Sequence, residues 1–191
     1  QDRQQRIWIG TRQAGLHLFD YASQRFINFS LKEGLSNNIV SSIKEDQNGF
    51  IWVGTENGLN RLDVATKSFR VFSEKDGLPA NNIQSIDLGK DNFIWVATTN
   101  GLGLINTDKD FSIKAYQLGA DADGVPQHNF IYTIQIDKWR DNTLWVCTKN
   151  GLKRVDITDP ASNLTWETFS NNASLWSISH NSCVDFVQES R

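Results

Sequence analysis

Few residues in this chain of 191 can carry reaction chemistry. Three histidines are present, and no Gly-x-Ser-x-Gly, His-Glu-x-x-His or Walker phosphate loop occurs. A nucleophile or base needs an orienting partner within hydrogen-bond reach, and no motif supplies one. The expectation is therefore that the chain is not an enzyme, with no catalytic residue, cofactor or metal. Asp121-Ala122-Asp123-Gly124 opens like a calcium loop, but position twelve falls on Tyr132, where a bidentate acid is required; a flexible loop is the preferred reading. The residues left are suited to recognition. Four polar dipeptides stand out: Asn37-Asn38, Asn81-Asn82, His128-Asn129 and His180-Asn181, together with Trp176 and the pair Trp139-Arg140. Neutral polar groups beside an exposed aromatic suit a saccharide, whose hydroxyls need hydrogen bonds and whose C–H face needs an apolar platform.

Those residues are positioned by a repeat. Ile7-Trp8-Ile9-Gly10-Thr11, Ile51-Trp52-Val53-Gly54-Thr55, Ile94-Trp95-Val96-Ala97-Thr98 and Leu144-Trp145-Val146-Cys147-Thr148 are four copies of one signature, their tryptophans 44, 43 and 50 residues apart. Asn57-Gly58-Leu59, Asn100-Gly101-Leu102 and Asn150-Gly151-Leu152 follow three copies at one offset, and Gly15-Leu16 follows the first. This period belongs to a β-propeller blade, so the fold class is all-β. Residues 1–191 form one propeller fragment of about four repeat equivalents, with Trp8, Trp52, Trp95 and Trp145 in equivalent places. In the clearest copy the pattern predicts strands near 39–45, 50–55, 59–63 and 69–73, named A to D from the inside outward. Asn-Gly between B and C predicts a type I′ hairpin turn.

A single blade cannot bury both its faces; stacked neighbours do. The strand B tryptophans are accordingly read as packing between blades. Cys147 shares a row with Gly10, Gly54 and Ala97, so it is read as a small buried thiol. Two cysteines are too few for a disulfide framework. The chain starts in mid-repeat with Gln1 and contains no methionine, which suggests a piece of something longer. Asn181 to Glu189 matches a strand A, and two outcomes are open. The piece is an arc of a larger propeller, the favoured reading, or Cys183–Val187 closes onto the Trp8 strand to make a small ring.

In a down–up meander, D–A connections and B–C turns share one rim. Asn37, Asn81, His128 and His180 then form a polar arc, with Trp176 on the same side and Trp139-Arg140 on the opposite rim. The Asn that follows each is read as bonding its own turn. A merely solvated rim is the competing reading for the arc, and covering of a blade edge is the competing reading for Trp139 and Trp176. A net charge of −3 offers no basic footprint for nucleic acid, and no long apolar stretch predicts membrane insertion by this segment.

Gly34 to Asp63 (GLSNNIVSSIKEDQNGFIWVGTENGLNRLD) resembles the two-component regulator propeller repeat. Gly77 to Asn106 follows the same pattern with Ala97 for Gly, and Gly124 to Asp156 follows it with insertions. The resemblance implies the extracytoplasmic, periplasmic sensor region of membrane-bound regulators, many of them hybrid histidine kinases of gut bacteria that respond to glycan breakdown products. It implies a segment that senses a ligand or supports one that does, with an oligosaccharide as ligand. Further partners would be the remaining blades of a parent propeller or other copies of the chain. Two other classes compete: an enzyme, since propellers also serve as lyases and lactonases, and a structural or dimerising spacer.

Overall fold

Each repeat folds as a meander because its β-branched and aromatic runs are separated by turn residues. The computed structural model describes residues 1–21, 23–119, 129–160, 162, 164–170 and 183–186. Among them the strands form four antiparallel sheets, here called blades 1 to 4. Blade 1 holds β1 (Ile7–Gly10), β2 (Leu16–Asp20) and β3 (Arg25–Phe29). Blade 2 holds β4 (Val40–Glu45), β5 (Ile51–Thr55), β6 (Gly58–Asp63) and β7 (Ser68–Phe72). Blade 3 holds β8 (Ile83–Leu88), β9 (Phe93–Thr98), β10 (Gly101–Asn106) and β11 (Ser112–Tyr116). Blade 4 holds β12 (Ile131–Ile136), β13 (Thr143–Thr148), β14 (Gly151–Asp156) and β15 (Thr165–Phe169). Strand order within each blade is sequence order, and the four strands expected from the second repeat are β4 to β7.

The cores lie between blades. Trp8, Leu18 and Phe29 of blade 1 pack on Ile51, Val53 and Leu62 of blade 2. Trp52 and Phe72 pack on Ile86, Ile94 and Val96 of blade 3. Trp95 and Tyr116 pack on Ile134, Leu144 and Val146 of blade 4. One side of strand B thus meets the next blade and the other side the previous one, which explains its unbroken apolar run. Trp52 and Trp95 are 0% and 1% exposed, as a packing role requires. The small residues of the inner strands join successive blades. Ser41 Oγ donates to the Ile83 carbonyl (2.6 Å), and Ser85 Oγ accepts from Ile134 N (3.3 Å).

The B–C hairpins differ from a type I′ turn. Positive φ occurs only at the glycine, 121° at Gly58, 120° at Gly101 and 114° at Gly151, and not at the preceding Asn. The signature threonine closes the turn instead: Thr55 Oγ1 donates to the Gly58 carbonyl (2.8 Å) and accepts from Asn57 N (3.2 Å). Thr98 and Thr148 repeat both bonds. The D–A connections hold one-turn 3₁₀ helices at Leu31–Glu33 and Glu74–Asp76, where the repeat pattern predicts plain connections. Ser30 and Ser73 cap them in capping boxes, and Gly34 and Gly77 end them at positive φ.

The described chain is an open arc. Blade 1 has three strands, and Cys183–Phe186 does not pair with β1 but lies beside blade 4, so the ring-closing alternative is not realised. The register explains this. Cys183 N donates to the Thr148 carbonyl (3.1 Å) as Val40 N donates to the Thr11 carbonyl (2.8 Å), so Cys183 begins the place of a following blade's strand A. Cys147 is fully buried as expected, but it is not a free thiol: it is bonded to Cys183, with Cα atoms 4.9 Å apart. The two share the row in which Gly10 meets Val40 and Gly54 meets Ile83, where side chains of adjacent blades face each other.

Candidate functional site

Both rims are assembled as the meander requires. On the first, the B–C turns of blades 1 to 3 bond the next D–A connection: Gly15 N, Gly58 N and Gly101 N donate to the carbonyls of Asn38 (3.0 Å), Asn81 (2.7 Å) and Asn129 (2.8 Å). These bonds make Asn38, Asn81 and Asn129 equivalents, so Asn37 shares its place with Ala80 and not with Asn81. The sequence pairing is one residue off because the two Asn-Asn dipeptides look alike, whereas the carbonyl that meets the glycine is unique. Asn37 Oδ1 accepts from Ile39 N (2.7 Å) in an Asx turn. Asn81 Oδ1 accepts from Glu74 N (2.8 Å), sealing the start of a 3₁₀ turn, and Asn38 does the same for Leu31 N (3.1 Å). His128, His180 and Trp176 lie outside the described residues.

The other rim carries the A–B and C–D turns. Its recurring device is a buried aspartate that holds the strand B indole. Asp46 Oδ1 accepts from Asn48 N (2.9 Å) and Phe50 N (3.1 Å), and its Oδ2 accepts from Trp52 Nε1 (2.7 Å). Asp2 holds Trp8 (2.8 Å) and Asp137 holds Trp145 (2.8 Å) in the same way. At Asp2 burial works against the carboxylate, but hydrogen bonds from Trp8 and Arg6, with the Arg6 charge, outweigh it and keep the group below the usual carboxylate range. Trp139 and Arg140 belong to this device, since their backbone N–H groups bond Asp137 Oδ1 at 2.9 and 3.0 Å. The Trp139 ring itself is half exposed.

Blade 3 departs from the pattern, and a cleft lies there. Gly89 occupies the aspartate's place, six residues before its tryptophan, as Asp46 is before Trp52. Between blades 3 and 4 a cavity of about 170 Å³ is lined by Trp95, Phe93, Lys90, Asp141, Asn142 and Thr158. A second cavity of about 260 Å³ shares Phe93 and Pro160 with it and adds Lys109 and Lys114. An ion pair between Lys90 and Asp141 spans the rim, and Asn142 Nδ2 donates to Thr158 Oγ1 (3.1 Å). Below them Tyr116 donates to the Pro160 carbonyl; burial, and then the charge of Asp159, raise its pKa to about 12. Sequence reasoning alone misses this cleft, although the glycine standing in the aspartate column is its visible signal. Arg140 borders a different groove, on the outer face of blade 4, with Arg154 and Trp166.

Among the described residues no group of three or more His, Cys, Asp or Glu could hold a metal ion, and no helix is long and apolar enough to cross a membrane. No curated protein matches the sequence. Among solved structures, the extracellular domain of B. thetaiotaomicron BT4673, assigned to a hybrid two component system, superposes with a TM-score of 0.73 at 21% identity, over 94% of this chain and 23% of that one. The corresponding domain of BT3049 from the same organism gives 0.56 at 22% identity, over 96% and 29%. Virginiamycin B lyase from Staphylococcus aureus gives 0.67 at 17% identity, over 91% and 55%. At such identities the likeness establishes the propeller fold, and the chain spans only about a quarter of the length of the two B. thetaiotaomicron domains. The family model described as two component regulator propeller matches residues 34–57 and 77–100, the D–A connection through the B–C turn of blades 2 and 3. Over those two stretches the chain is similar to the two component regulator propeller repeat.

Proposed function

We propose that this chain is a ligand-sensing arc in the extracytoplasmic, periplasmic part of a membrane-bound two-component regulator, and that its ligand is an oligosaccharide. The observation that carries the reading is the cleft between blades 3 and 4. Packed blades hold it rigidly, it offers Phe93 as an apolar floor, and it is ringed by the hydrogen-bonding groups of Lys90, Asp141, Asn142 and Thr158. That combination matches the alternation of C–H faces and hydroxyls on a sugar. The Cys147–Cys183 bond supports an oxidising compartment, where disulfides persist. An enzyme of the lyase type is the weaker reading, because among the described residues that line the cleft there is no histidine, and of its acids Asp91 and Asp141 the latter is engaged with Lys90.

Calorimetric titration with a panel of neutral and acidic oligosaccharides, with the same samples analysed for cleavage, tests this. The expected result is saturable heat for one ligand class and intact ligand afterwards. Absence of heat for every oligosaccharide would refute the sensing role of this arc, and cleavage products would move it to the enzymes. Alkylation of the unreduced, denatured chain should find no free thiol.

A further inference from the structure

Blade 3 lacks a carboxylate that the other three blades keep, and we propose that a ligand carboxylate takes its place. The cleft beside Trp95 is a site for a small organic acid, free or as the acid group of a sugar. The assignment rests on the reading of this cleft as ligand-binding.

The other three blades supply the chemistry. In blades 1, 2 and 4 the indole N–H of Trp8, Trp52 or Trp145 donates to an aspartate Oδ2 at 2.7–2.8 Å. Trp95 is the equivalent residue, 1% exposed, and its indole N–H has no acceptor among the described residues. The fully buried side-chain atoms left without a partner among the described residues are Arg61 Nε and Asn129 Oδ1, so the Trp95 N–H is not sealed off but open to the cleft, where an acceptor can meet it. The chain itself is poorly placed to provide one. A Cβ added to Gly89 would lie 3.0 Å from Trp95 Nε1 and 3.3 Å from Cδ1, so the indole edge has settled against the glycine where an aspartate stem would stand.

The acceptor must therefore arrive from the cleft that Trp95 lines. The cation of this cavity is Lys90, which lines it together with Asp91 and Asp141, while Lys109 and Lys114 line the neighbouring cavity that shares Phe93 and Pro160. Lys90 is next in sequence to Gly89, and its partner Asp141 is exposed, so a ligand carboxylate can compete for the ammonium group at little cost. A hydroxyl would accept the same N–H but gain no charge pairing with Lys90, which predicts preference for acids over neutral sugars.

The test is titration with sodium acetate, sodium glucuronate and glucose at constant ionic strength, observing the tryptophan indole N–H resonances by NMR. Trp95→Phe identifies the resonance of interest. It should move saturably with acetate and with glucuronate, and not with glucose. Lys90→Ala, on the exposed rim, should weaken both acids about three- to fivefold, the size of one solvated charge contact. Gly89→Asp returns a carboxylate within the chain and should remove the response; if it does not fold, the lysine variant still decides. A response to glucose equal to that for glucuronate, or no response of Trp95 to either acid, overturns the proposal. Oligosaccharide binding that leaves Trp95 unmoved overturns this assignment alone and leaves the sensing role intact. Acid binding without any oligosaccharide binding does the reverse.

Discussion

Asp46 binds three donors with one carboxylate, two from the backbone of its turn and one from the Trp52 indole. The turn and the interblade core are thereby fastened at a single side chain. Asp46→Ala strands all three N–H groups, each at about 1–3 kcal/mol if buried and unmet. Turn relaxation and water offset part of that, and a loss of about 3 kcal/mol in denaturant unfolding is the expected outcome. Tyr116 sets a second test. With its pKa raised to about 12 by burial and by Asp159, the folded state keeps the proton longer than the unfolded chain. The associated stability is complete below about pH 10, the unfolded value, and is lost as pH rises toward 12. In a spectrophotometric titration one tyrosine should ionise about two units late, and Tyr116→Phe should remove that late step. Neither role is legible in the sequence: Tyr116 stands in a column that holds Phe29, Phe72 and Phe169 in the other repeats, and the atoms that Asp46 and Tyr116 meet belong to a turn and to another blade.

Among the elements, the B–C hairpin is governed by its glycine and its threonine. An added Cβ at Gly58 would stand 2.9 Å from the Phe72 carbonyl oxygen, in a backbone with φ at 121°. Gly58→Ala should therefore cost about 2 kcal/mol in melting experiments, from left-handed strain and contact with strand D. The exposed Asn57 is expected to tolerate alanine to within about 0.5 kcal/mol, a contrast that a type I′ turn would not give. The row of Gly10, Gly54, Ala97 and Cys147 shows how position in the sheet decides what a residue does. Three members leave room for the next blade's side chain, and the fourth forms a covalent bond to it.

At the scale of the whole molecule, the described residues form an arc of four blades. Ile51 and Val53 of blade 2 are 1% and 0% exposed because blade 1 lies against them. On blade 1, with no preceding blade among the described residues, Ile9, the counterpart of Val53, is 39% exposed, and Phe26 of β3 is 57% exposed. At the other end Trp145 is half-buried, with the rings of Phe169 and Phe186 beside it. Apolar faces of this kind seek a partner. Self-association of the isolated chain is the expected outcome, visible in light scattering, and Phe26→Lys with Ile9→Lys should shift the population toward monomer. A wild-type monomer at high concentration would show that these faces are stable in water.

Whatever repeats is written in the amino-acid order. Strands, their succession, the interblade tryptophans and the sharing of one rim by D–A and B–C segments follow from local pattern and from the need to bury both faces of a blade. Whatever depends on which atom meets which came from contacts between distant parts of the chain. Hydrogen bonds between turn and connection place Asn81 beside Asn38 in the repeat, where the dipeptide pattern suggests Asn37. Contact across a blade junction joins Cys147 to Cys183, 36 residues apart, and the same register sends Cys183 to blade 4 rather than to the Trp8 strand. At Trp95 the carboxylate that the other three blades keep is replaced by Gly89, and the tryptophan lines a cavity between two blades. An absence of that kind acquires physical meaning only when the other three copies show what the side chain was holding.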